Sequence, residues 1–321
     1  MRSFKLTLKK IKGDASFRSF YRKTINKENS IIVYATKEKE KNLLIYDAIN
    51  SLLIENKILA PKLYKENYKQ NFIEIEDFGD NTVFKLLQKS ESNKINLYKK
   101  SIDLLSKIQK IKKRKIKNFH GKNYKVPIYE NNKLFKEAKL FSDWYAKKHI
   151  SNKKLPKFNI EINKQIKFLL SNLKLKNDTL VHRDFHVSNL MKYKKQLATI
   201  DTQDALIGNK AYDLASLIDD VRFKSNKKLK DTIYNYYLKL NKNKINKVIL
   251  LNDFEILSVI RNIKIIGIFA RLAVRDNKVK FLKFIPYAWK LIELRIENNE
   301  IFENLKTLLD LNFSKKIRNL K

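Results

Sequence analysis

The rhythm of hydrophobic and polar positions changes twice along the chain. In the first eighty residues short apolar stretches dominate. Residues 16–24 mix aromatic and charged positions and predict a strand, 30–36 (SIIVYAT) is β-branched and predicts a buried strand, and 71–76 (NFIEIE) alternates. Between the last two, 43–58 carries apolar residues at helical spacing, with Pro61 after it as the predicted stop. Asp77-Phe78-Gly79-Asp80 predicts a turn. Helical spacing then takes over at 83–88, 98–111, 132–148 and 162–173. The third of these predicts one amphipathic helix with Leu134, Phe135, Ala138, Phe141, Trp144 and Tyr145. The second change comes at 179–200: a short apolar stretch, a polar loop at 182–189 and a strand at 197–200. After Asp201 the helical pattern is predicted to run to the end. A strand-rich 1–80 followed by a helical 81–321 predicts an α+β fold of two lobes, with a hinge near 76–80.

Composition narrows the class. Of 321 residues, 43% are hydrophobic, including 19 Phe and 15 Tyr, enough to build a large core and exclude bulk disorder. There is no Cys, which excludes a disulfide scaffold, a thiolate metal site and a cysteine nucleophile. The first twelve residues alternate basic and apolar positions and lack a secretory h-region. Apolar runs such as 265–270 are too short to cross a bilayer. The expectation is a soluble, cytoplasmic protein without a membrane partner. Glycine is scarce, 5 where average usage of ~7% would give roughly 22. The five, at 13, 79, 121, 208 and 267, are therefore expected where backbone geometry demands them.

Lys and Arg number 70 against 33 Asp and Glu, a formal net charge of +37. Such a balance suggests nucleic acid as a partner. The lysines, however, run through nearly every segment, only 110–117 (KIKKRKIK) forms a dense patch, and no nucleic-acid-binding signature accompanies them. The charge is read as compositional drift toward Lys, Asn and Ile, carried on solvated faces, with no specific nucleic acid expected.

The chemistry concentrates at Val181-His182-Arg183-Asp184-Phe185-His186-Val187-Ser188-Asn189, which matches the H-R-D-x-x-x-x-N loop of phosphoryl-transfer enzymes. Such transfer needs a carboxylate facing the acceptor hydroxyl and oxygen ligands for Mg²⁺ on the phosphates. Asp184 is the candidate base, Asn189 offers an amide oxygen, and Asp201 follows the 197–200 strand where a second metal ligand belongs. His182 is expected to prop the loop by hydrogen bonding. Asp213 is expected to anchor a helix. His186 and His182 stand four apart, but in a loop rather than a helix, so histidine ligation of a metal is not expected. Asp204 reads equally as a substrate contact or a surface carboxylate. Gly13, Asp14, Ala15, Ser16 and Phe17 form a candidate turn over phosphates, and Glu76, Asp77 and Phe78 a candidate adenine hinge.

Six stretches carry a resemblance: 13–22 (GDASFRSFYR), 76–80 (EDFGD), 140–145 (LFSDWY), 181–191 (VHRDFHVSNLM), 200–220 (IDTQDALIGNKAYDLASLIDD) and 260–278 (IRNIKIIGIFARLAVRDNK). Together they resemble the aminoglycoside phosphotransferase-like kinases, and within them the N-acetylmuramate/N-acetylglucosamine anomeric kinases of bacterial cell-wall recycling. The resemblance implies a two-lobed protein-kinase-like fold and ATP with Mg²⁺ as cofactors. It implies Asp184 as base, Asn189 and Asp201 as metal ligands, residues 13–17 as the phosphate loop, and a small sugar as acceptor. Substrate contacts are expected from the loop after Asp201 and from the helical lobe, with His186, Gln203, Asp204, Trp144 and Arg271 as candidates. Trp144 and Tyr145 read either as an apolar wall for the sugar or, slightly favoured, as core. Asp201-Thr202-Gln203 stands in place of D-F-G, and no Lys occupies the 30–36 strand. That leaves the phosphate-binding cation to Arg18, Arg22 or Lys37. The competing readings are an aminoglycoside or other small-alcohol kinase, and a basic RNA- or anion-binding protein on a kinase scaffold.

Overall fold

A computed structural model describes residues 6–11, 18–35, 42–89, 93–242, 245–297 and 299–320. Along the chain run β1 (Leu6–Ile11), β2 (Arg18–Ile25), β3 (Glu28–Ala35), α1 (Asn42–Glu55), β4 (Leu63–Asn67), β5 (Phe72–Glu76), α2 (Val83–Lys89), α3 (Lys94–Ile108), β6 (Lys115–Lys117) and β7 (Asn123–Lys125). There follow α4 (Asn131–Ala138), α5 (Lys147–His149), α6 (Leu155–Ser171), β8 (Asn177–Val181), β9 (Leu190–Tyr193), β10 (Gln196–Thr199), β11 (Leu206–Asn209), α7 (Ala211–Ile218), α8 (Lys227–Leu240), α9 (Lys247–Arg275), α10 (Ile285–Ile296), α11 (Glu303–Asn312) and α12 (Lys315–Arg318). The chain divides into two compact units, one of residues 1–127 and 180–206, the other of 128–179 and 207–321. None of the described helices is long and apolar enough to cross a membrane.

The first unit is built on an antiparallel sheet in the order β1-β2-β3-β5-β4. Alternation in β3 turns Ile31, Val33 and Ala35 to one side, where they pack with Leu43 and Tyr46 of α1 and with Ile73 and Ile75 of β5. The β2–β3 hairpin closes on Asn26 and Lys27, both left-handed at φ 51° and 74°, the backbone that matches strand twist in a two-residue turn. Pro61 is not what stops α1. The helix ends at Glu55 in a Schellman turn: Lys57 N–H donates to Ile54 O (2.9 Å) and Ile58 N–H to Leu53 O (3.0 Å), with Lys57 at φ 60° in the place glycine usually takes. The dense 110–117 patch runs into a short hairpin, β6 with β7, in which Ile116 is buried and Lys115 and Lys117 face water. Three-residue strands are too short to show a period in the sequence. The strand β11 likewise interrupts the region after Asp201 that was predicted to be helical throughout.

In the second unit the predicted 132–148 helix is not continuous. Between α4 and α5 the residues Phe141–Ala146 form a π-helical segment. Its onset coincides with a close approach of α9: a Cβ on Gly267 would collide with the Leu140 carbonyl carbon and the Phe141 nitrogen. Phe141 and Tyr145 enter an aromatic cluster with Phe158, Trp289 and Phe313, where Trp289 Nε1–H donates to the Tyr145 hydroxyl at 3.1 Å. Tyr145 is thus core, whereas Trp144 is half-buried.

Two stability predictions follow from these contacts. Gly267→Ala forces backbone against backbone, so it should cost at least about 3 kcal/mol in denaturant unfolding, the upper end of overpacking effects. An unchanged midpoint would mean that the two backbones do not touch. Asp47, buried on α1, has its carboxyl pushed up by burial to about 6, with a hydrogen bond from the Phe119 backbone opposing. The folded state therefore holds the proton more tightly, and stability is lost as pH rises from the ordinary carboxylate range through 6. Asp47→Asn should stabilise the protein at pH 7–8 by about 1–2 kcal/mol and hardly at all at pH 4, read from unfolding curves at both pH values.

Candidate active site

The loop 182–189 is braced by its own backbone. His186 N–H donates to Asp184 O (2.9 Å), Asn189 N–H to His186 O (2.9 Å), and Asn189 Nδ2 to Asp184 O (3.1 Å). The last bond pins the amide nitrogen of Asn189 and leaves its Oδ1 as the free-facing acceptor. Ile200 N–H donates to Asn189 O (3.0 Å), which sets Asp201 beside the loop. His182 Nε2 lies 3.0 Å from Ile200 O, the propping contact expected of it. Arg183 and Asp201 are both left-handed, at φ 72° and 62°, conformations that non-glycine residues keep only where the surroundings over-determine them.

Asp201 is the electrostatic centre. Burial raises its carboxyl and the Asp184 and Asp204 carboxylates push the same way, while Arg18 pulls back. Arg18 Nη2 donates to Asp201 Oδ1 at 3.0 Å from a buried position on β2, its guanidinium also lying 6.0 Å from the ring centroids of Phe20 and Tyr46. From α1, Asn50 accepts the Thr202 hydroxyl at 2.6 Å and donates to Pro61 O at 3.1 Å. Burial and then the Asp201 charge push the Tyr46 hydroxyl up to about 12, so it stays protonated as a donor beside this loop. These contacts of Arg18, Tyr46 and Asn50 with the 201–202 backbone and side chains are invisible in sequence spacing.

The 76–80 tract is also organised. Arg22 of β2 binds Asp77 through Nε and Nη2 and reaches both oxygens of Asp80 at 3.0 and 3.1 Å, and the two carboxylates, foremost Asp77, hold the guanidinium above its usual range. Gly79, at φ 78°, donates to Asp77 Oδ1. Phe78 packs into a small apolar cluster with Met191 and Ala198, bordered by Leu59, Tyr193 and Ile200. Lys192 N–H to Asn81 O and Phe84 N–H to Val187 O tie this tract to the β9–β10 hairpin and to the loop.

Asp184, His186, Asn189, Asp201, Gln203 and Asp204 all belong to the first unit, as do Glu76, Asp77 and Phe78, the last in an apolar cluster bordered by Ile200. His186 is buried, its Nε2 3.4 Å from Asn189 Nδ2. Gln203 is buried with Nε2 donating to Asp204 Oδ2 (2.9 Å) and Oε1 without a protein partner, and Asp204 is half-exposed, 3.6 Å from Arg183 Nη1. Trp144 and Arg271 belong to the second unit, where the buried Nε of Arg271 has no partner and burial lowers its pKa. Asp213 is fully buried in the first turn of α7. Residues 13–17 and Lys37 lie outside the described residues. Of the candidate cations, Arg22 is committed to Asp77 and Asp80 and Arg18 to Asp201. Among the described residues no group of three His, Cys, Asp or Glu side chains could cage a metal. One carboxylate, of Asp201, and one amide oxygen, of Asn189, are hard-oxygen groups of the kind that could hold Mg²⁺ on phosphates.

The family model described as Phosphotransferase enzyme family (APH) matches residues 7–244. A protein of Neisseria meningitidis serogroup B named N-acetylmuramate/N-acetylglucosamine kinase is 26% identical over 292 residues, 89% of this chain and 84% of that protein. A Pseudomonas aeruginosa protein of the same name is 26% identical over 304 residues, 92% and 86% of the two chains. Among solved structures, Plasmodium vivax ethanolamine kinase superposes with TM-score 0.61 at 14% identity, covering 94% of this chain and 84% of that one. The ADP-bound aminoglycoside phosphotransferase APH(2'')-Ib gives 0.58 at 15%, covering 91% and 93%. These likenesses show the fold, the α+β architecture of the protein-kinase-like phosphotransferases.

Proposed function

We propose that the chain, which belongs to the phosphotransferase enzyme family, transfers the γ-phosphoryl group of ATP to the anomeric hydroxyl of N-acetylmuramate or N-acetylglucosamine. The phosphotransferase chemistry follows from the family. The acceptor is supported by the shared name of the relatives, which align over most of their length. The observation that carries the site is the convergence of Asp184, Asn189 and Asp201 through the backbone bonds of the loop.

On this reading residues 1–80 form the nucleotide lobe, with 13–17 over the phosphates and the 76–78 backbone at the adenine. Residues 81–321 form the lobe that carries the catalytic loop and the acceptor contacts. Asn189 Oδ1 and Asp201 would hold Mg²⁺, which would supply charge neutralisation on the phosphates. Arg18 holds Asp201 in place by its charge. Asp184 orients the acceptor hydroxyl and receives its proton. An anomeric hydroxyl is more acidic than an ordinary sugar alcohol, and a loose transition state asks for little proton transfer early, so positioning carries most of the rate. His186, Gln203, Asp204, Trp144 and Arg271 are assigned to the acceptor side. The reaction belongs in the cytoplasm, where ATP is at hand.

Asp201→Asn keeps the shape and removes the charge, so turnover at saturating Mg²⁺ should fall at least about a hundredfold while binding of metal-free nucleotide changes little. Near-normal turnover would remove Asp201 as the ligand. The acceptor position is tested with a methyl glycoside of N-acetylglucosamine, which blocks C1 and leaves the other hydroxyls free. The free sugar should yield an acid-labile glycosyl phosphate and the glycoside nothing. Equal turnover of the two would eliminate the anomeric assignment.

A further inference from the structure

Helix α1 turns two polar side chains, Tyr46 and Asn50, toward the 201–202 segment. They stand one turn apart and both are buried. Asn50 is held at both ends of its amide: Nδ2 donates to Pro61 O at 3.1 Å, and Oδ1 accepts the Thr202 hydroxyl at 2.6 Å. The Tyr46 hydroxyl lies between the Asn50 side chain and the Asp201 backbone, hydrogen-bonded to each. Thr202 is fully buried and follows directly on Asp201, whose φ is 62°. All of these residues belong to the first unit.

Two features set the Asn50–Thr202 bond apart from an ordinary satisfied pair. The first is a small, mostly apolar cavity that Thr202 borders together with Ile49, Leu53, Ile108, Leu180 and Ala205. A side chain at the edge of a void has no packing partner on that side, so packing alone does not pin it. The second is the backbone it adjoins. A left-handed aspartate is strained and persists only where its surroundings over-determine it.

An apolar pair of the same size in place of Asn50 and Thr202 would be about as stable, because the net gain of a buried hydrogen bond is small. What the polar pair adds is direction. In D-F-G sequences the residue after the aspartate is a phenylalanine whose packing sets the active or inactive arrangement. Here that position is a threonine, and a hydrogen bond from it to α1 stands where the ring packing would be.

We propose that Asn50 is a positioning residue: by holding the Thr202 hydroxyl it fixes the left-handed turn at Asp201, and with it the carboxylate that is to hold Mg²⁺. This rests on the reading of Asp201 as a metal ligand and deepens it, since the ligand is then set from α1 and not from the 182–189 loop alone. With the bond broken, Asp201 leaves its strained turn for part of the time. Apparent Mg²⁺ affinity then falls in proportion to the competent fraction.

The test uses the full chain with ADP and Mg²⁺ and reads thermal unfolding, which needs no acceptor. The measured quantity is the Mg²⁺ concentration that half-completes the rise in midpoint at saturating ADP. Wild type is compared with Asp201→Asn, Thr202→Val, Thr202→Ser and the double variant Asn50→Leu/Thr202→Val. Asp201→Asn should lose most of the Mg²⁺-dependent rise. Thr202→Val keeps the shape and loses the hydroxyl, so it should need at least about tenfold more Mg²⁺, while ADP alone shifts it as it shifts wild type. Thr202→Ser keeps the hydroxyl and should stay within about threefold of wild type. The double variant should unfold near wild type without ligand and still need at least about tenfold more Mg²⁺. In turnover the same displacement of Mg²⁺ dependence should appear, with KM for the sugar within about twofold. A double variant that regains wild-type Mg²⁺ dependence along with its stability would reduce the bond to mutual satisfaction of two polar groups and overturn the proposal. Equal Mg²⁺ dependence in Thr202→Val and Thr202→Ser would overturn it too, and that contrast decides if the double variant does not fold. Should Thr202→Val itself not fold, Asn50→Ser replaces it, and loss of folding in both assigns the bond to the scaffold and overturns the proposal. If Asp201→Asn loses the Mg²⁺ response and Thr202→Val keeps it, the ligand reading stands and the positioning role falls. If Asp201→Asn keeps the response, the ligand reading falls and takes the positioning role with it.

Discussion

Asp201 has to be held in a left-handed backbone with its carboxylate half-buried, and much of the first unit is arranged around that demand. Four constraints meet there: the Ile200 N–H on Asn189 O, the His182 ring on Ile200 O, the Thr202 hydroxyl on Asn50, and the Arg18 guanidinium on the carboxylate itself. They come from the 182–189 loop, its first histidine, α1 and β2. A shift of any one element changes where the carboxylate points. Because Arg18 is buried against Phe20 and Tyr46, its pairing with Asp201 is less screened than a surface ion pair would be. The sheet is thereby coupled electrostatically to the site, not only by packing.

The parts of this arrangement that could be read in advance are the ones whose logic is local. The spacing of Asp184, Asn189 and the aspartate after the next strand is a one-dimensional record of a loop and a hairpin, so it survives in a single sequence. Strands β2, β3 and β5 are long enough to show alternation or a β-branched run. Arg18 and Asp201 stand 183 residues apart, and Asn50 and Thr202 152 apart, so no window of sequence contains either pair. The π segment escaped because its aromatic positions fit a helical stripe as well as they fit the wider turn. It takes the bare backbone of Gly267, more than a hundred residues later, to show why the helix opens there.

The charge balance has a structural counterpart. With acidic groups outnumbered two to one, they sit where one carboxylate can organise several donors: Asp77 takes Arg22 and Gly79, Glu74 takes Lys23 and Ser30, and Asp253 takes two backbone N–H groups and Asn209. The lysines of β6 point to water on either side of a buried isoleucine. A basic surface therefore coexists with an interior whose few carboxylates act as fasteners.

Glycine scarcity left its mark on the backbone in a way the five remaining glycines do not show. Asn26, Lys27, Lys57, Asn71, Lys194 and Asn277 all occupy left-handed positions at turns and helix ends, outside any chemistry described above. For asparagine that conformation is mild, but each lysine there bears a steric load of roughly 1 kcal/mol that glycine would not. Lysine at these positions thus places small, scattered strains in the turns of the chain. The fold is tuned less finely than its core packing would allow, and it holds an untapped margin of thermal tolerance in its turns.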